Sequence, residues 1–187
     1  MGRPAVTPLE YLGRMRGSTR GGPPRVSMGE IFWSWVGAFA GIAAVGWAGR
    51  LLFADQDLSL LIGSIGASAV LVFGAPRSPL SQPRNLVVGH LVSALVGVAS
   101  WKLLQAHPWL AAALAVSTSV ALMHALRVLH PPGGATALIA VVGSPDIHAL
   151  GYTYALVPAT LGPLILLAVA LLVNNLPRTR HYPEIWF

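Results

Sequence analysis

The fold turns on Leu129-His130-Pro131-Pro132-Gly133-Gly134-Ala135-Thr136-Ala137-Leu138-Ile139-Ala140-Val141-Val142-Gly143-Ser144-Pro145, an apolar run opened by two prolines and two glycines. Residues 134–143 number ten, or about 15 Å of helix against a hydrocarbon core of about 30 Å. One helix cannot cross a bilayer there. The rest of the passage falls to residues 129–133, read as non-helical chain, because Pro131 and Pro132 lack amide donors and His130 is pushed to extended geometry by the proline after it. Such backbone is tolerated at membrane depth only where protein or a water-filled cavity surrounds it.

A second copy of the pattern lies upstream. Gly66-Ala67-Ser68-Ala69-Val70-Leu71-Val72-Phe73-Gly74-Ala75-Pro76 can be laid over Gly134-Ala135-Thr136-Ala137-Leu138-Ile139-Ala140-Val141-Val142-Gly143-Ser144-Pro145 with one residue inserted. Gly-Ala-Ser/Thr-Ala opens both and Gly-small-Pro closes both. Chance agreement between small-residue-rich helices is the competing explanation. In the first copy, residues 58–62 leading to Gly63 take the place of the extended stretch.

Four further apolar segments flank these two, at 31–53, 86–105, 109–126 and 151–173, the last interrupted by Pro158 and Pro163. The chain of 187 residues is 55% hydrophobic and 10% charged, where a soluble domain carries about 25% charged residues. A water-soluble globule is thereby set aside. The expected fold is an all-α membrane protein made of two three-segment repeats. Three crossings per unit invert the second unit, with a broken or half-helix in the middle of each. Its organisation reads as a basic arm over 1–29, one transmembrane domain over 30–176 (unit one about 30–106, unit two about 107–176) and a tail over 177–187.

Charge placement gives an independent reading. With six crossings, ten of the twelve basic residues fall on the side of the N-terminus, and only Arg50 and Lys102 on the other. The positive-inside rule then puts both termini in the cytoplasm, with loops 54–57 and 146–150 outside. A cell inner (plasma) membrane is the expected location. The arm lacks a secretory signal's apolar core, and an organellar transit peptide is the weaker reading because Ser and Thr are sparse. Within the arm, Leu9, Tyr11, Leu12 and Met15 with Arg14 and Arg16 suggest a short interfacial helix, weakened by Gly13 and Gly17. The excess of basic residues is read as topology, with the lipid bilayer as partner and no nucleic acid.

If the two half-helices start near the midplane from opposite sides, their free amides and positive dipole ends face each other. Lined by hydroxyls and without a carboxylate, that arrangement describes a site for a small inorganic anion. The candidate binding residues are Gly63, Ser64, Gly66, Ser68, His130, Gly133, Gly134 and Thr136. Arg84, Asn85, Arg127 and His90 are candidates for access or gating. Each has a plainer reading. His130 can cap a helix end, His90 and His124 can bond neighbouring helices, Arg84 and Arg127 can be topology charges, and Ser117 to Ser119 can serve packing.

No catalytic arrangement is present, since the six acids at 10, 30, 55, 57, 146 and 184 all sit in flanks or loops. With no cysteine and scattered histidines, neither a metal site nor a cofactor is expected. Gly133-Gly134 is not a phosphate loop, because no Lys-Ser/Thr follows.

The eight residues from His130 to Ala137 resemble the signature of the HPP family of integral membrane proteins, named for the tripeptide. Also similar are Gly66-Ala67-Ser68-Ala69, Ser78-Pro79-Leu80-Ser81-Gln82-Pro83-Arg84-Asn85, Gly89-His90, Asn174-Asn175 and Tyr182-Pro183. The resemblance covers about residues 28–187. It implies a small multi-spanning membrane protein, usually described with four spans, and nitrite transport in some plastid and cyanobacterial members. The expected function is a channel or secondary transporter for a small inorganic anion, nitrite first among them. A non-transporting membrane scaffold or assembly partner is the alternative. A homo-oligomer, a dimer by frequency of symmetry, would shield non-helical backbone from lipid.

Overall fold

The computed structural model describes residues 7–16, 21–22, 24–53 and 58–187, with the side chains at 53–62 left aside. The expected outer loop at 54–57 lies outside the described residues. Among those described there are helices and turns and no strand. A short helix α1 (Pro8–Arg14) occupies the basic arm and buries nothing. Thr7 caps it by accepting from the Glu10 amide, while the Glu10 carboxylate accepts from the Thr7 amide. That reciprocal pair offsets the weakening by Gly13.

The bundle follows as α2 (Met28–Phe53), α3 (Leu58–Gly74), a 3-10 turn (Pro79–Ser81), α4 (Pro83–Leu103), α5 (Pro108–Ala125), α6 (Pro131–Val142), α7 (Pro145–Leu150), α8 (Thr153–Leu156) and α9 (Pro158–Val173). Among the described residues four stretches are long and apolar enough to cross a membrane: Met28–Leu52, Pro83–Leu103, Pro108–Ala125 and Thr153–Val173. The shorter α3 and α6 pack among them. Exposed Trp35, Phe39, Trp47 and Leu51 on α2 are what a lipid-facing helix presents.

Two local expectations need correction. Residues 58–62 are helical, so α3 is a helix of 17 residues rather than a half-helix starting at Gly63. No proline or polar break interrupts that apolar run, and nothing opposes helix. In the second copy the helix begins at Pro131, three residues before Gly134. Proline is at home in a first helical turn, where its missing N–H would have had no intrahelical partner and its φ is already helical. Likewise Pro158 opens α9, and Pro163 alone lies inside it.

Contacts at the helix ends give the directions. On one face Arg180 binds Glu30 and Ser34 near the start of α2, the Phe73 carbonyl at the end of α3, and Asn174 at the end of α9. Arg84 and Asn85, at the start of α4, bond the carbonyls of Leu126 and Leu129 just after α5. On the opposite face Trp101, near the end of α4, stacks on His148 of α7 at 3.9 Å. Helices α2, α4 and α6 therefore run one way and α3, α5 and α9 the other. The two ends of the bundle meet on one face.

Small residues set the closest approaches. A Cβ on Gly97 would lie 2.6 Å from the Ala137 carbonyl, and one on Gly89 would lie 2.7 Å from the His130 Cβ. Gly89, Ser93 and Gly97 thus form a stripe along α4 against which α6 lies in parallel. Across the bundle, Gly37 and Gly41 of α2 leave room for the buried Phe73 ring, with Leu166 and Ile65 in the same core.

Candidate functional site

Where α3, α4 and the start of α6 meet, four polar side chains are wholly buried: Ser68, His90, His130 and Thr136. Ser68 Oγ lies 2.8 Å from Nε2 of His90 and 2.8 Å from Nε2 of His130. Nδ1 of His90 is 2.6 Å from Thr136 Oγ1, and Nδ1 of His130 is 2.8 Å from the carbonyl oxygen of Leu80. Ser68 also lies 3.2 Å from the Ser64 carbonyl, and Tyr154 of α8 donates to the Thr136 carbonyl at 3.0 Å. The imidazole centroids are 5.1 Å apart.

Each element contributes for a local reason. His130 is pinned as the residue preceding α6, extended at φ −137° and ψ 100°, as a following proline requires. His90 projects from the glycine-serine stripe of α4, because Gly89 lets the chain around His130 come close. Leu80 belongs to the 3-10 turn, which Ser81 and Gln82 tie down through the carbonyls of Leu71, Ala75, Pro76 and Ser78. Ser68 is six residues before the end of α3, about 9 Å below that face at 1.5 Å per residue. The cluster therefore lies on the Arg180 side of the middle of the bundle.

The sequence-based candidates separate into two groups. Ser64, Ser68, His90, His130, Gly133 and Thr136 are buried together in or beside the cluster. Gly63 is exposed, Gly66 is half-buried with open space beyond it, and Gly134 faces Val116 of α5. The tight glycine is Gly133, where a Cβ would sit 2.7 Å from Ser93 Oγ and 3.0 Å from the Gly89 carbonyl. His124 is exposed at the end of α5.

The expected pair of converging helix starts is also corrected. Ser68 sits inside α3 and not at its beginning. At the start of α6, Pro131 and Pro132 carry no N–H, and the Gly133 amide donates to the His130 carbonyl at 2.8 Å. Of the first three positions of α6 only Gly133 has an amide, and that amide is already bonded. The positive groups lie higher, at the mouth. Arg84, Asn85, Arg127, Gln82 and Trp186 line an open pocket of about 300 Å³. Asn85 in its wall donates to the carbonyl of Leu129, the residue next to His130. Arg127 has a positive φ of 57° in the turn that ends α5, where the Val128 amide returns to the Met123 carbonyl.

Sequence reasoning missed the Leu80 carbonyl, Ser93 and Tyr154, and took Arg180 for a topology charge. Arg180 is instead at the centre of a clasp, with Nε 2.8 Å from the Glu30 carboxylate and its other nitrogens on Phe73, Asn174, Ser34 and the Glu30 carbonyl. Tyr182 is buried beside it, donating to the Ser81 carbonyl at 2.7 Å, while Asn175 bonds its amide and carbonyl. The signal available was Asn174-Asn175 at the end of an apolar helix, two amides with no reason to sit there unless they are paired. No group of three or more His, Asp or Glu residues able to hold a metal ion occurs among the described residues.

Comparisons with known proteins agree with this architecture. The family profile described as "HPP, transmembrane region" matches residues 23–183. A transmembrane protein of Dictyostelium discoideum is 43% identical over 182 residues, 96% of this chain and 58% of the relative. Another from the same organism is 45% identical over 168 residues, 88% of this chain and 59% of the relative. The chain thus spans less than two thirds of the curated relatives it matches. No solved structure matches. With the His-Pro-Pro start of α6 inside the matched region and four membrane-length stretches among the described residues, the chain belongs to the HPP transmembrane family.

Proposed function

We propose that this protein is a channel or secondary transporter for a small inorganic anion, nitrite first among the candidates. The observation that carries the reading is the mouth pocket. Two guanidinium groups, Arg84 and Arg127, line it together with Asn85, which donates to the carbonyl of Leu129, the neighbour of His130 in the buried tract of His130, Ser68, His90 and Thr136. Positive potential at a concave mouth raises the local concentration of anions. The anion first meets protein there, and the buried tract is the path that a conformational change opens. The alternating helix directions are those that two inverted three-segment units require. The Arg180 face, which carries Arg77, Arg84, Arg127, Arg178 and Arg180, is assigned to the cytoplasm by the positive-inside rule. A plasma-membrane dimer is the expected assembly.

The test is nitrite uptake into proteoliposomes, with nitrate and chloride as competitors. Arg84→Gln and Arg127→Gln should each lower uptake several-fold, and the loss should shrink at high salt, where screening already weakens attraction. Absence of uptake for every anion would overturn the reading. A second reading, a membrane scaffold that transports nothing, is favoured by the full pairing of the four buried side chains. In that case the same variants would leave liposome permeability at the level of empty vesicles.

A further inference from the structure

We propose that His90, Ser68 and His130 form a relay site that binds one proton and passes it between the two imidazoles through the serine hydroxyl. The proposal rests on the geometry alone for the relay, and on the anion-transport reading only for what the proton is coupled to.

The donors and acceptors determine where the hydrogens sit. The Leu80 carbonyl can only accept, so Nδ1 of His130 carries a hydrogen. With that ring neutral, its Nε2 accepts, and the hydroxyl in reach is Ser68. Ser68 Oγ in turn accepts from Nε2–H of His90, which leaves Nδ1 of His90 to accept from the Thr136 hydroxyl. Each bond in the chain then has one hydrogen, the Ser68 hydroxyl taking His130 Nε2 at 2.8 Å as its closer acceptor over the Ser64 carbonyl at 3.2 Å.

An added proton is accommodated with the heavy atoms in place. It enters on Nδ1 of His90, and the Thr136 hydroxyl turns to the Pro132 carbonyl, 3.5 Å away. His90 is then the imidazolium. In the transfer step its Nε2–H bond breaks as that proton passes to Ser68 Oγ, while the Ser68 O–H bond breaks as its proton passes to Nε2 of His130. His130 becomes the imidazolium and His90 is neutral. The serine ends as it began, and only the two 2.8 Å bonds reverse direction. With centroids 5.1 Å apart, the rings do not both carry charge, since like charges this close disfavour each other.

Among the described residues, none of the groups bonded to the pair is a carboxylate. From α3 the neighbours are Ser64 and Ser68, from α6 Thr136, from α8 the Tyr154 phenol on the Thr136 carbonyl, and from the 3-10 turn the Leu80 carbonyl. From α5 Met123 approaches Gly89 and Gly133, and the cations lining the mouth are Arg84 and Arg127. Glu30 and Glu184 are bound to Arg180 and Arg77 on the outer face. A proton on this pair is therefore an uncompensated positive charge, and a small anion brought down from the mouth is the partner that neutralises it. The pair becomes the site where proton and anion binding reinforce each other, the chemistry of proton–anion symport.

The experiment is nitrogen-15 histidine NMR on the full chain in lipid nanodiscs over a pH series, with the two rings assigned from His90→Gln and His130→Gln. Expected are opposite neutral tautomers at high pH, Nε2–H for His90 and Nδ1–H for His130, and joint movement of both rings at one midpoint as one proton is taken up. In Ser68→Ala the two rings should respond separately, and Ser68→Thr should restore joint behaviour. Like tautomers, independent titration in the wild type, or rings neutral at every pH where the protein is folded would each overturn the relay. A second arm loads proteoliposomes with a pH-sensitive dye and applies a nitrite gradient. Proton movement should accompany nitrite and fall about a hundredfold in Ser68→Ala, the scale of losing a positioned proton-transfer group. Nitrite flux without proton movement overturns the coupling. No flux with a joint titration overturns the transport reading and upholds the relay.

Discussion

Gly133 of α6 and Ser93 of α4 meet so closely that a Cβ on the glycine would stand 2.7 Å from the serine hydroxyl. The neighbouring Gly134 has no such constraint, its nearest contact being Val116 at 3.8 Å. Gly133→Ala should therefore destabilise the protein by about 1–3 kcal/mol through overpacking. Gly134→Ala should be neutral or stabilising by up to about 1 kcal/mol, because alanine is the better helix former. Thermal unfolding in mild detergent would check both. Equal effects would mean that α6 is rotated from the orientation described above.

Arg180 makes the second prediction. Its side chain is 2% exposed and satisfies groups from α2, α3 and α9 at once. Arg180→Ala should lower stability by about 3–5 kcal/mol, the scale of breaking a buried pair from one side. Arg180→Lys should recover little, because an ammonium has three donors at one point and cannot reproduce the planar fork. The readout is the apparent melting temperature together with the yield of folded protein after extraction.

Alkaline pH should act through Tyr182. Burial pushes its phenol above the ordinary value of about 10. The unfolded chain gives up this proton first, so the stabilisation is complete below pH about 10 and is lost as pH climbs towards the raised folded value. The phenolate absorbance attributable to Tyr182, taken as the difference from Tyr182→Phe, should be absent at pH 10 in folded protein and appear on unfolding. The same substitution should cost about 1 kcal/mol for the bond to the Ser81 carbonyl.

Membrane orientation is open to direct chemistry, since the chain has no cysteine. Single cysteines at the exposed positions Gln105 and Asp146 should react with an impermeant thiol reagent applied to intact cells. One at exposed Arg178 should react only after the membrane is opened. Reaction of all three from outside, or of Arg178→Cys alone, would reverse or abolish the proposed topology.

What the sequence could show divides along physical lines. Hydropathy located every long helix, because lipid-facing and core positions are both apolar and the pattern needs no partner to be read. Pro131 and Pro132 were misread, since a proline in a first turn and one in a helix break are the same letters, and the difference lies in which carbonyl waits four residues back. Residues 58–62 read as non-helical only by analogy with the second copy, and nothing in their own composition opposes helix. The meeting of His90 with His130 and Ser68 depends on α4 and α6 lying in parallel, a register set by Gly89, Ser93 and Gly97 across two chain segments. Composition shows that those glycines allow close approach, but it does not name the helix that approaches. Arg180 escaped notice for a similar reason, as its partners are up to 150 positions away.

The clasp also bears on how the protein is made. Glu30 lies 150 positions before Arg180, so its counter-ion is specified only after α9 has been synthesised. Until then Ser34 can bond the Phe73 carbonyl and Asn174 the Val72 carbonyl, but the Glu30 carboxylate lacks the group that ties it to them. A nascent chain that stalls before Arg180 carries an unlatched carboxylate at the end of the bundle, which distinguishes it from one in which the clasp has formed. Quality-control proteases that sample membrane-surface segments would meet that difference before any loss of the apolar core.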